Sequence, residues 1–261
     1  MRNNAIAAAI IVLAHAAAPA AQAAGGRAGG GPPLDYEVKA TGLAPVFPEG
    51  YNCDPIASGW ASAERFDGSA RLQGRNSGMH GGLDISLREG TPLLAVAAGK
   101  VISKGEGGML EGIYLWMQHT PEDTGLPYRA ITKYQHLSAL PKLNAGDRVS
   151  AGQVVALSGL TGTRGPAFGP AGYPHLHLSM FVAPVAEPVA AEGGSLSVPP
   201  RDGKLSDPML LFLPANADFE KAAAFSEAAK RVAVAVAGRD GRIDPAGSKV
   251  VWPVSCVEKR R

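Results

Sequence analysis

Between residues 51 and 213 the chain alternates short apolar runs with turn residues, and that rhythm predicts strands. The runs "TPLLAVAAGKVIS", "GIYLWMQH", "YRAITKYQHL" and "HLHLSMFV" are rich in β-branched and aromatic side chains and are bounded by Gly, Pro, Asp and Asn. In the last run, successive side chains of a strand would alternate between faces. His175, His177, Ser179 and Phe181 then share one face, and Leu176, Leu178, Met180 and Val182 share the other, which reads as the core face. A different pattern follows in "NADFEKAAAFSEAAKRVAVAVAG". It opens with Asn or Asp in a capping position and runs through good helix formers to Gly238, which predicts one C-terminal helix.

Two stretches offer little apolar surface. Residues 24–50 are Gly- and Pro-rich and read as a loosely ordered lead-in, and residues 183–203, "APVAEPVAAEGGSLSVPPRDG", read as a loop insertion. The first 23 residues have one Arg, an apolar run and small residues ending in Ala21-Gln22-Ala23, the pattern of a cleaved export signal. The expected organisation is therefore a signal (1–23), the lead-in (24–50), a β domain (51–213) and a C-terminal helix and tail (214–261). The mature chain would work in the periplasm or outside the cell, without a transmembrane anchor.

Composition narrows the classes without selecting one. The 261 residues are 46% hydrophobic and carry a formal net charge of +2, which suits one core of moderate size. That balance gives no electrostatic reason to expect nucleic acid or an anionic membrane as partner. The two cysteines, Cys53 and Cys256, sit near the two ends of the mature chain. In an oxidising compartment they would pair and staple the tail to the start of the domain.

The candidate chemistry lies in the histidines. His175 and His177 project from one strand face, so one can bind a metal while the other stands beside it. Upstream, "MHGGLDIS" holds His80 and Asp84, and Gly82 between them leaves room for a ligand to approach. His136 falls at the end of an apparent strand in "KYQHLSAL". Catalytic zinc sites use three protein donors, usually imidazole and carboxylate, and His80, Asp84 and His177 supply such a set. His136 and His175 are left for proton transfer, which imidazoles perform well near neutral pH. His119 reads as an ordinary strand-end histidine, and His15 belongs to the signal.

At these residues the chain resembles the lysostaphin/LytM-type zinc metalloendopeptidases, whose signature is H-x-x-x-D, a histidine in a Y-x-H-L setting and a late H-x-H. Here the matching stretches are "HGGLD", "YQHL" and "HLH". "GTPLLAVAAGKVIS" and "LNAGDRVSAGQVVALSGLTG" also match in kind, and the likeness extends over residues 71–213. The resemblance implies a mainly β fold of two packed antiparallel sheets, like a duplicated hybrid motif, with the site in a groove. It implies one Zn2+ ion on His80, Asp84 and His177, with His136 and His175 as catalytic histidines in amide hydrolysis of peptidoglycan peptides. Residues 162–177 and 183–203 are longer than the family pattern, and the tail from residue 215 has no clear counterpart. Two alternatives are a catalytically silent cell-wall-binding regulator or hydrolase activator with the same fold, which by the resemblance usually lacks one or more of the five residues present here, and an extracytoplasmic zinc-binding or adhesion module without hydrolysis.

Overall fold

The computed structural model describes residues 36–71, 76–165, 168–184, 199 and 203–259. The expected export signal, the beginning of the lead-in and most of the 183–203 insertion lie outside these residues. The described chain enters through β1 (Ala44–Val46), β2 (Tyr51–Asn52) and β3 (Ile56–Ser58). Next come β4 (Leu83–Ser86), β5 (Pro92–Leu94), β6 (Gly99–Glu106) and β7 (Ile113–His119). They are followed by β8 (Arg129–Leu137), β9 (Arg148–Val149), β10 (Val154–Leu157) and β11 (His175–Ala183). Five short strands complete the chain: β12 (Lys204–Ser206), β13 (Arg231–Ala233), β14 (Val236–Ala237), β15 (Ile243–Asp244) and β16 (Val257–Glu258).

The main sheet has eight strands in the order β3-β4-β11-β8-β7-β6-β9, with β12 beside the second half of β11. Every pairing in it is antiparallel. The alternation read from "HLHLSMFV" holds: Leu176, Leu178 and Met180 are buried in the principal apolar cluster together with Leu83 and Ile85 of β4. Fully burying each such side chain stabilises by roughly 1.5–3 kcal/mol. Leu93 of β5, Val155 of β10 and the C-terminal Trp252 and Val254 belong to the same cluster. The partner layer is therefore built of short pieces rather than one broad second sheet. Its largest regular element is the antiparallel pair β5-β10.

Two expectations about the chain ends are corrected. The segment 216–238 is not one helix; it holds a short 3-10 helix, Phe219–Ala224, and then β13 and β14. The alternating Val232, Val234 and Val236 are all buried, a period-two pattern that β-branched residues favour and that outweighs the alanines' helix propensity. The later part of the lead-in is not loosely ordered. From Leu43 onward it belongs to the fold: β1 pairs in parallel with β13, and Leu43 and Phe47 pack on the principal cluster. Phe47 meets Trp252 edge-on at 5.1 Å between ring centroids.

Cys53 and Cys256 are disulfide-bonded across a sequence separation of 203 residues. The bond lies next to the β2-β16 pairing of Asn52 with Val257, so it joins the two ends of the described domain. His119 is an interior structural histidine. Its Nδ1 lies 2.8 Å from the Ala98 carbonyl and its Nε2 2.9 Å from the Thr132 hydroxyl.

Candidate metal centre

The face of the main sheet opposite the core carries a groove of about 530 Å³. Its floor and walls bring together His80, Asp84, His136, His175 and His177. In β4, Leu83 and Ile85 go to the core and Asp84 goes to the groove. Asp84 is the cross-strand neighbour of His177 in β11. His80 arrives from the turn before β4, and its backbone is held there by Ser62 and Ala61.

Three donor atoms converge. His80 Nε2 lies 3.1 Å from His177 Nδ1 and 3.1 Å from Asp84 Oδ1. His177 Nδ1 lies 2.8 Å from the same oxygen. Ligand bonds of about 2.1 Å in a tetrahedral site put donors roughly 3.4 Å apart, so the spacing suits a small divalent cation. The chemistry of the donor set agrees. His80 Nδ1 donates to the Gly59 carbonyl at 2.9 Å, which leaves Nε2 with its lone pair toward the other two donors. Lone pairs facing one another at this range need a cation or protons between them.

Each donor has a supporting partner. His177 Nε2 lies 2.9 Å from the Ser179 hydroxyl. Asp84 Oδ2 accepts from the Arg71 guanidinium at 3.3 Å, and Arg71 also donates to the Ser58 hydroxyl at 2.7 Å. Burial works against the Asp84 carboxylate. When protons take the place of a cation there, the charge of His80 and the hydrogen bonds from His175, His177 and His80 outweigh burial and hold the group well below the usual carboxylate range. Burial pushes His177 down to about 4, although Asp84 opposes that shift.

Gly82 does what the spacing suggested, in a different way. A Cβ there would lie 2.5 Å from the Leu178 carbonyl oxygen and 2.9 Å from His177 Cε1 and Nε2. The missing side chain makes room for the His177 ring.

The other two histidines flank the donors. His175 Nδ1 donates to the Tyr173 carbonyl at 2.8 Å, so its Nε2 carries the lone pair, 3.5 Å from Asp84 Oδ1. Its ring stacks on Tyr173, 4.4 Å between centroids and 19° between planes. His136 Nδ1 donates to the Thr161 carbonyl at 2.8 Å. Its ring lies 4.5 Å from that of His175. Burial, then the neighbouring His175 and His177, hold His136 well below the usual histidine range, so it is neutral at pH 7.

His136 reaches the groove against strand alternation. Gln135 already faces the groove opposite His177, and Tyr134 is buried in the core. A regular strand would send His136 after Tyr134. Instead the register between β7 and β8 shifts between Ile113 and Leu115, and His136 takes a left-handed φ of 62°. The bulge turns a second consecutive side chain into the groove, as bulges beside functional sites do.

Sequence reasoning missed Arg71, Ser58, the Gly59 carbonyl, Tyr173 and Thr161. Ser179 was legible, because it shares the His175–His177 face. Arg71 and the Gly59 carbonyl carried no signal, since each lies outside the strands that hold the donors, 13 and 21 residues from its partner in sequence.

Residues 78–189 match the model of "Peptidase family M23". Lysostaphin of Staphylococcus simulans is 33% identical over 109 residues, which cover 42% of this chain and 19% of that protein. The glycyl-glycine endopeptidase ALE-1 of Staphylococcus capitis is 35% identical over 108 residues, 40% of this chain and 25% of that protein. The chain thus spans a quarter or less of the length of these relatives. Among solved structures, the catalytic domain of lysostaphin from Staphylococcus simulans is 27% identical, with a TM-score of 0.39, covering 60% of this chain and 92% of that one.

Proposed function

From a chain whose residues 78–189 belong to peptidase family M23, of the lysostaphin/LytM type, we propose an exported zinc metalloendopeptidase that hydrolyses peptide bonds in peptidoglycan cross-links. The observation that carries this reading is the convergence of His80 Nε2, Asp84 Oδ1 and His177 Nδ1 within 3.1 Å of one another, with two more histidines beside them. These three would hold the ion. Zinc bound there would supply Lewis-acid polarisation of the scissile carbonyl and acidify water.

The chain's own residues do the rest. Tyr173 and Thr161 fix the tautomers of His175 and His136 through their carbonyls, so each presents Nε2 as a proton acceptor. A neutral imidazole can take the proton of the attacking water and return it to the leaving nitrogen, while the second, protonated at Nε2, donates to the charge developing on the carbonyl oxygen. Ser179 and Gly59 orient the metal-side rings. The Arg71 guanidinium holds the second oxygen of the Asp84 carboxylate and so aims the first at the other donors. The first residues of the chain read as the export signal, and no described helix is long and apolar enough to cross a membrane.

The test is metal content beside digestion of purified peptidoglycan, for five alanine variants of matched folding. Replacing His80, Asp84 or His177 should remove zinc and activity together. Replacing His136 or His175 should leave zinc bound and lower turnover by about 10²–10⁴-fold. Equal zinc loss in His175→Ala and His177→Ala would end the division of labour. Full activity in all five would end the metallopeptidase reading, and no digestion by the zinc-loaded wild type would favour a binding role.

A further inference from the structure

We propose that Lys133, set between Tyr114 and Trp116 on the groove floor, forms a subsite for a carboxylate of the substrate, and that Glu111 fills this subsite in the free protein. The proposal rests on the peptidase reading and names a substrate class: a cross-link with a free carboxylate close to the scissile bond, in contrast to a neutral glycine bridge.

The position follows from register. In β8, Lys133 shares a face with Gln135, which lies opposite His177, and Lys133 itself lies opposite Ser179. Lys133 is thus one pleat repeat, roughly 6.6 Å, along the floor from the row that holds the metal donors. An extended peptide bound along the groove would reach it within about two residues of the bond being cut.

The chemistry follows from what surrounds the ammonium. The Lys133 side chain is 11% exposed, and its Nζ lies 5.0 Å from the ring centroids of both Tyr114 and Trp116. Aromatic faces attract a cation but accept no ordinary hydrogen bond, so a lysine this deep also needs an anion. Glu111 supplies one and pairs directly with Nζ. Glu111 is the more exposed partner, 35% against 11%, and it sits between Leu110 and Gly112 in the connection from β6 to β7. Turning it out returns a carboxylate to water, and an incoming substrate carboxylate can take its place beside the buried ammonium. The groove as a whole also favours an anion. Among its described residues, Arg65, Arg71 and Lys133 outnumber the carboxylates Asp84 and Glu111, and a bound divalent cation adds to the excess.

The test uses the zinc-loaded protein and two synthetic cross-linked peptides that differ only in a carboxylate or a carboxamide beside the scissile bond. Wild type should favour the carboxylate peptide by about 10- to 100-fold in kcat/KM, the size of a charge-assisted hydrogen bond. Lys133→Met keeps the stem packed between the rings and should erase the preference while still cleaving the carboxamide peptide. Glu111→Gln removes the competing carboxylate and should hold or raise the preference. Equal cleavage of both peptides by wild type, a wild-type ratio in Lys133→Met, or a lost preference in Glu111→Gln would each overturn the proposal. Calorimetric binding of the same peptides reads the subsite apart from turnover. Equal affinities overturn it, whereas absent cleavage with a preserved carboxylate preference overturns only the peptidase reading.

Discussion

Replacing Gly82 by Ala should loosen the metal centre without touching a ligand. The added Cβ would stand 2.5 Å from the Leu178 carbonyl oxygen, about 0.9 Å inside ordinary contact, and 2.9 Å from two atoms of the His177 ring. Backbone strain plays no part, since Gly82 is not among the positive-φ glycines. The two obstacles respond differently. The Leu178 carbonyl belongs to β11, which β8 holds from the other side through a continuous register from His177 to Ala183. It cannot retreat by that distance without breaking the ladder. The His177 ring is therefore displaced, and with it Nδ1, 2.8 Å from Asp84 Oδ1 at present. Metal sites tolerate about 0.5 Å of ligand error, so zinc affinity should fall by roughly 10- to 100-fold or more. Forcing a methyl into this packing should cost about 1–3 kcal/mol, a fall of roughly 3–10 °C in Tm for a domain of this size. A competition titration with a chromogenic chelator measures the affinity, and calorimetry the stability. Wild-type zinc affinity together with wild-type turnover would refute the claim that Gly82 exists to seat His177.

Two further outcomes concern the rest of the fold. Removing residues 24–48 deletes β1 and the Leu43 and Phe47 packing, so Tm should fall by about 5 °C or more, and an unchanged Tm would show these contacts to be dispensable. Burial pushes Asp207 up to about 6 against hydrogen bonds from Thr41 and the Met209 amide, so the folded state binds a proton that the unfolded chain releases near pH 4. Its contribution is fully present below about pH 4 and falls by roughly 3 kcal/mol as pH rises past 6, so Asp207→Asn should flatten that slope. Parallel stability curves for the two proteins across this window, followed by chemical denaturation, would contradict it.

Much of the site was legible because its members sit in strands, and strand periodicity is local. The alternation in "HLHLSMFV" was enough to put His175 and His177 on one face and three core residues on the other, as the buried Leu176, Leu178 and Met180 show. The same rule, applied to "RVAVAVAG", would have recovered the buried valines of β13 and β14. The helix expectation there weighed alanine propensity above a period of two. The lead-in was misjudged because composition reports how little apolar surface a stretch has. It does not report whether the few apolar residues, here Leu43 and Phe47, have a prepared surface to meet.

By itself, the sequence determined the class of fold and the candidate donors, because each depends on residue type and short-range spacing. Only the tertiary structure decided which atoms of those residues face one another. His80 presents Nε2 because the Gly59 carbonyl, 21 residues away in sequence, holds its other nitrogen. Asp84 is steadied by Arg71, and Arg71 by Ser58, through contacts that no periodicity encodes. His136 is the clearest case. Alternation assigns it to the core, and a one-residue bulge against β7, with a left-handed backbone, turns it to the groove. A strand's facing is a local property, but a bulge is a compromise between two strands, so its place is set only when both are present.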